Sequence, residues 1–303
     1  MSEYHTPVLL KESVSALAIR KGGVYVDATF GGGGHSREIL SRLEGNSKLI
    51  AFDRDPEALK NAPEDNRLIL IHNNFRFLQN YIRFCGFEKV DGILADLGVS
   101  SHQFDTEERG FSFRFDAKLD MRMNRLSKTS AEDIVNEYDE ESLTKILREW
   151  GEVDNSRRVA RLICSEREKS RIVTTTDFNK ALDSVIPKFG GHKILAKIYQ
   201  ALRIEVNGEM KSLDGFLKDT LRVLSPGGRL VVITYHSLED RMVKNFIKTG
   251  NTEGILNKDF YGNKETPFEL ITRKPVTPPE EEISSNTRAR SAKLRVAEMK
   301  EKN

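Results

Sequence analysis

Three aspartates end short apolar runs: Asp27 after Val24 to Val26, Asp53 after Lys48 to Phe52, and Asp96 after Val90 to Ala95. Four consecutive glycines, Gly31 to Gly34, follow the first of them, and His35 then leads into a helix-like segment, Ser36 to Leu43. Glycines after a first strand let the backbone approach a ligand closely, and an acid ending the second strand can bind two ribose hydroxyls. The pattern indicates an adenosine-containing cofactor. A dinucleotide fingerprint, G-x-G-x-x-G, would need a third glycine where Ser36 or Arg37 stands, so that match fails. Asp27 would face a pyrophosphate unfavourably, but it suits a cationic amino group such as the methionyl ammonium of S-adenosylmethionine. S-adenosylmethionine is therefore the expected cofactor. A dinucleotide oxidoreductase and a glycine-rich turn that binds nothing are the alternatives.

Ligands of an open α/β sheet bind beyond the carboxyl ends of its strands. Polar loops gather there in this sequence: Asn73-Asn-Phe75, Asp96 to Gln103, and Tyr235 to Arg241. Asp53 is expected to hold the ribose, the alternative being a helix cap ahead of Pro56. Phe75 is placed to lie against an adenine face, or else to belong to the core. Asp96 can accept a hydrogen bond from a target amine, Gly98 permits a close backbone approach, and Ser100 and Ser101 add hydroxyls. His236 is read either as a base or as a helix cap. Just beyond, Arg109-Gly-Phe-Ser-Phe-Arg114 interleaves Arg109 and Arg114 with Phe111 and Phe113. That composition suits stacking on an unstacked base and pairing with phosphate, or a hydrophobic hinge.

The elements that position these residues alternate strand and helix over the first hundred residues, which predicts a parallel sheet covered by helices. From about Asp105 to Val206 strand signals fade. Ser130-Ala-Glu-Asp133 has the form of a capping box, and Glu140 to Trp150 and Ser156 to Lys169 carry apolar residues at helical spacing. The α/β pattern resumes with a helix from Glu209 to Leu224, a strand from Arg229 to Tyr235 and a short strand from Phe268 to Thr272. Pro275 to Ile283 reads as a linker and the basic stretch from about 284 as an arm. The expected architecture is α/β, a Rossmann-like core of residues 1–104 and 207–303 interrupted by an all-helical domain of residues 105–206.

The chain has 303 residues, 38% apolar and 31% charged, as in a soluble globular protein. No run of eighteen apolar residues predicts a membrane span, and Met1 to Lys11 lacks the apolar centre of a secretory signal. Cys85 and Cys164 have no metal-like or paired spacing, so no metal site is expected and a cytoplasmic setting is the default. The formal net charge of +2 conceals local surpluses. Lys and Arg outnumber Asp and Glu ten to four from Arg157 to Lys197, and six to two from Asn286 onward. Such clusters permit a polyanionic partner such as RNA, although solvated helix faces give the same counts. Composition does not indicate an oligomeric state.

Longer motifs narrow the field. Asp27-Ala-Thr-Phe-Gly-Gly-Gly-Gly-His-Ser36, Asp53-Arg-Asp-Pro56, Asp91-Gly-Ile-Leu-Ala-Asp-Leu-Gly-Val-Ser-Ser101 and Glu108-Arg-Gly-Phe-Ser-Phe113 resemble the RsmH (MraW) family. So do Leu119-Asp-Met-Arg-Met123, Gln200-Ala-Leu-Arg-Ile204, His236-Ser-Leu-Glu-Asp-Arg241 and Arg288-Ala-Arg-Ser291, in the family's order along the chain. The resemblance implies a class I methyltransferase core with an inserted helical domain. It also implies methyl transfer from S-adenosylmethionine to cytosine N4 of a decoding-centre cytidine in 16S rRNA, with the 30S subunit as partner. The family's cofactor contacts carry over to Gly33, Gly34, His35, Asp53, Phe75, Asp96 and Gln103. In that reading Arg157, Arg158, Arg161, Lys193 and Lys197 supply phosphate contacts. The sequence departs from the Asp/Asn-Pro-Pro-Tyr tetrad of many amino-methyltransferases, having Asp96-Leu-Gly-Val. Methyl transfer to DNA or protein, and a non-catalytic RNA-binding or ribosome-assembly factor that keeps the fold, stay open as alternatives.

Overall fold

A computed structural model describes residues 7–100, 103–104, 106–187, 189–258, 261–262 and 266–301. It divides into two compact units, one of residues 1–98 and 210–303, the other of residues 99–209. The seams fall a few residues outside the 105–206 boundaries expected from the sequence.

The first unit is built on a seven-stranded sheet. Its strands are β1 (Val24–Asp27), β2 (Lys48–Asp53), β3 (Leu68–His72), β4 (Val90–Asp96), β5 (Leu224–Thr234), β6 (Phe268–Leu270) and β7 (Lys293–Met299). They lie in the order β3-β2-β1-β4-β5-β7-β6, with β1 to β5 mutually parallel and β7 antiparallel to both of its neighbours. Val26, Ile50, Ile93 and Val232 are wholly buried, as a sheet covered on both faces requires, each contributing about 1.5–3 kcal/mol. Strand order reverses between β1 and β4, where the carboxyl ends diverge and an open sheet leaves its crevice. Helices α1 (Leu10–Ala16), α2 (Gly34–Arg42), α3 (Pro56–Leu59) and α4 (Leu78–Phe84) belong to the first half of this unit. Asp55 caps α3 by accepting from the Glu57 N–H, with Pro56 at the first helical position, where its missing donor costs nothing.

Two expectations are corrected here. The stretch from about 284 is not a basic arm. After a short helix, Glu280–Ser285, it enters the sheet as β7, where Leu294 and Val296 are buried and Arg295 pairs with Asp240 at 2.6 Å. Asp240 takes up the charge of Arg295 and draws Lys293 to 3.4 Å, while Arg288, Arg290 and Lys300 stay exposed. The second correction concerns β5, which begins at Leu224 and not Arg229. Val90 pairs with Leu224 and Gly92 with Arg229, so Ser225-Pro-Gly-Gly228 is an irregularity inside the strand.

The second unit is helical: α5 (Ala131–Glu137), α6 (Glu140–Glu149), α7 (Ser156–Lys169), α8 (Thr175–Leu182) and α9 (Gly191–Asn207). Capping boxes at Ser130/Asp133 and Thr174/Asp177 start α5 and α8. The helices share a core that includes Ile134, Leu143, Val159, Phe178 and Leu202. Glu205 of α9 accepts from Trp150 Nε1 at 2.9 Å and from the Tyr138 hydroxyl at 3.1 Å, tying both ends of α6 to α9. No helix among the described residues is long and apolar enough to cross a membrane.

Candidate active site

The reversal of strand order gathers the ends of β1, β2 and β4 and the loops that follow them. Gly33, at φ +76°, turns the chain into α2, a conformation glycine adopts without strain. The loop is held from several sides. Phe30 N–H donates to the Phe52 carbonyl at 2.8 Å, and Arg37 donates to the Gly32 carbonyl at 2.7 Å. A Cβ on Gly34 would lie 2.1 Å from Pro7 Cγ, so Pro7 packs directly on the loop.

Asp53 ends β2 beneath this loop. Its Oδ2 accepts the Gly31 N–H at 2.7 Å and its Oδ1 the Asp55 N–H at 2.8 Å. Burial outweighs these bonds and raises its pKa to about 6. Each oxygen retains acceptor capacity, which is the donor-poor setting that a vicinal diol would satisfy. Phe75 lies in a 3₁₀ turn after β3, half-buried, with its ring edge-to-face on Phe216 at 5.2 Å.

Asp96 ends β4. Its backbone N–H donates to Thr29 Oγ1 at 2.7 Å, which ties it to the β1 loop. The Tyr235 hydroxyl donates to Oδ1 at 2.8 Å, and His35 Nδ1 stands 3.8 Å from Oδ2. Its side chain is 22% exposed, yet enclosure by protein raises its pKa to about 6, with Asp27 and Glu239 adding repulsion and the Tyr235 hydrogen bond opposing it; His35 would oppose it only as a cation, a form its own burial disfavours. Gly98, at φ +99°, lies over the Tyr235 ring, where a Cβ would sit 3.4 Å from Cδ2.

Other expected site residues take different roles. Asp27 is completely buried; Oδ1 accepts the Thr29 N–H at 3.0 Å and Oδ2 the Ser36 hydroxyl at 2.7 Å. It therefore organises the glycine loop from below and is not placed to meet an ammonium group. His236 caps helix α11 (Ser237–Thr249), the next in the chain after α10 (Glu209–Val223), with Nδ1 accepting the Glu239 N–H at 3.4 Å. A neutral ring used that way carries its proton on Nε2 and has no lone pair left to act as a base. Nε2 stands 3.1 Å from Glu239 Oε1 without hydrogen-bond alignment.

In the helical unit, Ser100 and Gln103 bond reciprocally, Ser100 N–H to Gln103 Oε1 at 3.3 Å and Gln103 N–H to Ser100 Oγ at 3.2 Å. Ser101 lies outside the described residues. Arg109 is 2% exposed and donates to the Arg122 and Met123 carbonyls, and Phe111 is a core residue. Neither is exposed for contact with RNA, which corrects the reading of that segment: the guanidinium is spent on backbone carbonyls. Phe113 stacks on His192 and meets Tyr199 edge-on, leaving Arg114 as the exposed member. Arg157, Arg158 and Arg161 project from α7 and Lys193 and Lys197 from α9, all exposed. Arg157 and Arg161 stand 3.8 and 3.5 Å from Glu140, and Lys197 donates to the Glu152 carbonyl.

The MraW methylase family model matches residues 2–300, nearly the whole chain and in one piece. This chain belongs to the MraW methylase family. Relatives that span nearly the whole chain carry the name Ribosomal RNA small subunit methyltransferase H. That of Phocaeicola vulgatus is 56% identical over 298 residues, 97% of either chain, and that of Flavobacterium psychrophilum is 57% identical over 292 residues, 96% of this chain and all of its own. A solved rRNA methylase from Streptococcus thermophilus aligns over 98% of this chain and 99% of its own at 14% identity and a TM-score of 0.43. At the Asp96 carboxyl, Tyr235 carries a contact for which the sequence alone offers no role. Its signal was positional: it follows β5, the sheet neighbour of β4, two residues beyond Ile233, the register partner of Asp96.

Proposed function

We propose that this protein transfers a methyl group from S-adenosylmethionine to the exocyclic N4 of a decoding-centre cytidine in 16S rRNA, within the small ribosomal subunit. One observation carries the reading: Asp96, at the strand-order reversal, engages Oδ1 with Tyr235 while Oδ2 accepts no hydrogen bond from a described residue. The names of the full-length relatives point to the same class of RNA. When bound, the cofactor supplies an electrophilic methyl group on a sulfonium.

The residues present fit such a group. Asp53 offers a half-buried, under-satisfied carboxylate for a ribose diol, and the glycine loop offers backbone with little side chain in the way. A cytosine amine is a poor nucleophile because its lone pair is delocalised into the ring. Asp96 Oδ2, accepting one amine N–H, favours pyramidal nitrogen and aims the lone pair. Alignment of donor and acceptor is the larger part of the protein's contribution. The base must be unpaired or flipped to reach a strand-end carboxylate, at a cost of a few kcal/mol in a duplex. The exposed cations of α7 and α9 suit phosphate contacts that fix position without reading sequence.

The test is tritium transfer from labelled S-adenosylmethionine to 30S subunits from a strain lacking this protein, followed by nucleoside analysis. Label is expected in N4-methylcytidine, and Asp96→Ala is expected to abolish it. Label in another nucleoside overturns the target. Cofactor binding without label on 30S subunits, naked rRNA or DNA favours the non-catalytic alternative.

A further inference from the structure

Two side chains of different chemistry bracket the Asp96 carboxyl. On one side, the Tyr235 hydroxyl donates to Oδ1 at 2.8 Å. The phenol is held in place by its own backbone, whose N–H donates to Glu239 Oε2 at 2.9 Å, and by Gly98 over its ring. Burial and the neighbouring carboxylate keep it protonated, so it acts as a fixed donor. On the other side stands His35, 5% exposed, with Nε2 3.2 Å from the Val8 carbonyl. A carbonyl can only accept, so Nε2 carries the proton, and burial favours the neutral ring. Nδ1 then shows a bare lone pair to Asp96 Oδ2 at 3.8 Å. Two lone pairs with no proton between them repel; a proton on Oδ2 turns that repulsion into attraction.

We infer that Tyr235 is a positioning residue of methyl transfer: by occupying Oδ1 it leaves Oδ2, beside the bare Nδ1 of His35, as the oxygen that receives the amine N–H and then its proton. The inference rests on the reading of Asp96 as the amine acceptor. In the balanced step, the methyl–nitrogen bond forms as the methyl–sulfur bond breaks, with its electron pair remaining on sulfur. One amine N–H bond breaks, its electrons stay on nitrogen, and the proton passes to Oδ2. His35 Nδ1 is the adjacent base that can share that proton before solvent takes it. The charged and titratable groups facing Asp96 are Asp27 from β1, His35 from α2, Tyr235 beyond β5 and Glu239 from α11. Loss of the tyrosine donor removes an influence that holds the Asp96 pKa down, so the carboxylate is protonated at higher pH.

Tyr235→Phe keeps the ring over Gly98 and deletes only the donor. The variant is expected to lower kcat about tenfold at pH 7, to shift the acid limb of the pH–rate profile upward, and to leave KM for S-adenosylmethionine within about twofold. In the cofactor-free protein, carbon-13 titration of the aspartate carboxyls, assigned with Asp96→Asn, is expected to show the Asp96 midpoint near 6 moving upward in Tyr235→Phe. Nitrogen-15 spectra of the cofactor-free wild type are expected to show His35 protonated at Nε2 and bare at Nδ1. An unchanged midpoint and pH profile, or a His35 ring protonated at Nδ1 in the neutral state, would overturn the inference. A wild-type protein that fails to label 30S subunits bears instead on the proposed function, because both spectroscopic readings need neither cofactor nor RNA.

Discussion

The Asp53 carboxyl accepts two backbone N–H groups and has capacity for two further donors, and its pKa is raised to about 6. A carboxyl whose folded pKa is raised contributes stability below its unfolded pKa and loses that contribution as pH rises through the folded value. At neutral pH Asp53 therefore weighs against the ligand-free fold, and two hydroxyl donors from a ribose relieve it. Affinity for S-adenosylmethionine should follow ionisation, being about tenfold weaker at pH 5 than at pH 7. Calorimetric titration across that range measures it, and a flat profile would separate Asp53 from the ribose. The strand-end positions of Asp53 and Asp96 were legible in the sequence because each ends an apolar run. Asp27 ends a run too, but its partners Thr29 and Ser36 pull it under the loop, and nothing in the spacing distinguishes an acid that faces a ligand from one that braces the backbone. Arg109 and Phe111 misled for a related reason, since side-chain type does not reveal which carbonyls a guanidinium will find.

Among elements, the segment around Gly110 has the tightest backbone approach in the helical unit. Gly110 sits at φ +67°, and a Cβ there would lie 2.2 Å from the Lys118 carbonyl oxygen and 3.0 Å from Asp120 N. That backbone cannot give way easily, because Lys118 is bridged to Thr174 and its carbonyl accepts the Asp120 N–H. Gly110→Ala should cost about 2–4 kcal/mol, read by urea denaturation. The strands from β1 to β4 were visible as apolar runs, α5 as a capping signal, and α6 and α7 as apolar residues at helical spacing. β7 escaped because its alternation, Lys293-Leu-Arg-Val, is that of a strand while its composition is that of a basic tail. What resolves the conflict is Asp240, 53 residues before Lys293, which neutralises Arg295 and draws Lys293 to 3.4 Å. Pairing over that distance has no local signature.

At the scale of the whole molecule, the helical unit has a core of its own, from Phe111 to Leu202, and is well above the ~40 residues below which domains need covalent or metal staples. Residues 99–209 expressed alone should give a helical circular dichroism spectrum and one cooperative thermal transition; a non-cooperative melt would show that the unit borrows its stability. The insertion itself was legible as a change of period from strand to helix, although its seams were not, since Gly98 turns the chain by a positive φ that any glycine permits and few require. The same insertion sets a clock on synthesis. β4 is complete at Asp96, but its neighbour β5 ends only at Thr234. At about 5–20 residues per second, roughly seven to thirty seconds pass in which the nascent β4 has an unpaired edge beside Ile93 and Leu94. During that wait the helical unit emerges and can fold upon itself, so the half-built sheet is accompanied by a finished domain before its missing strand arrives.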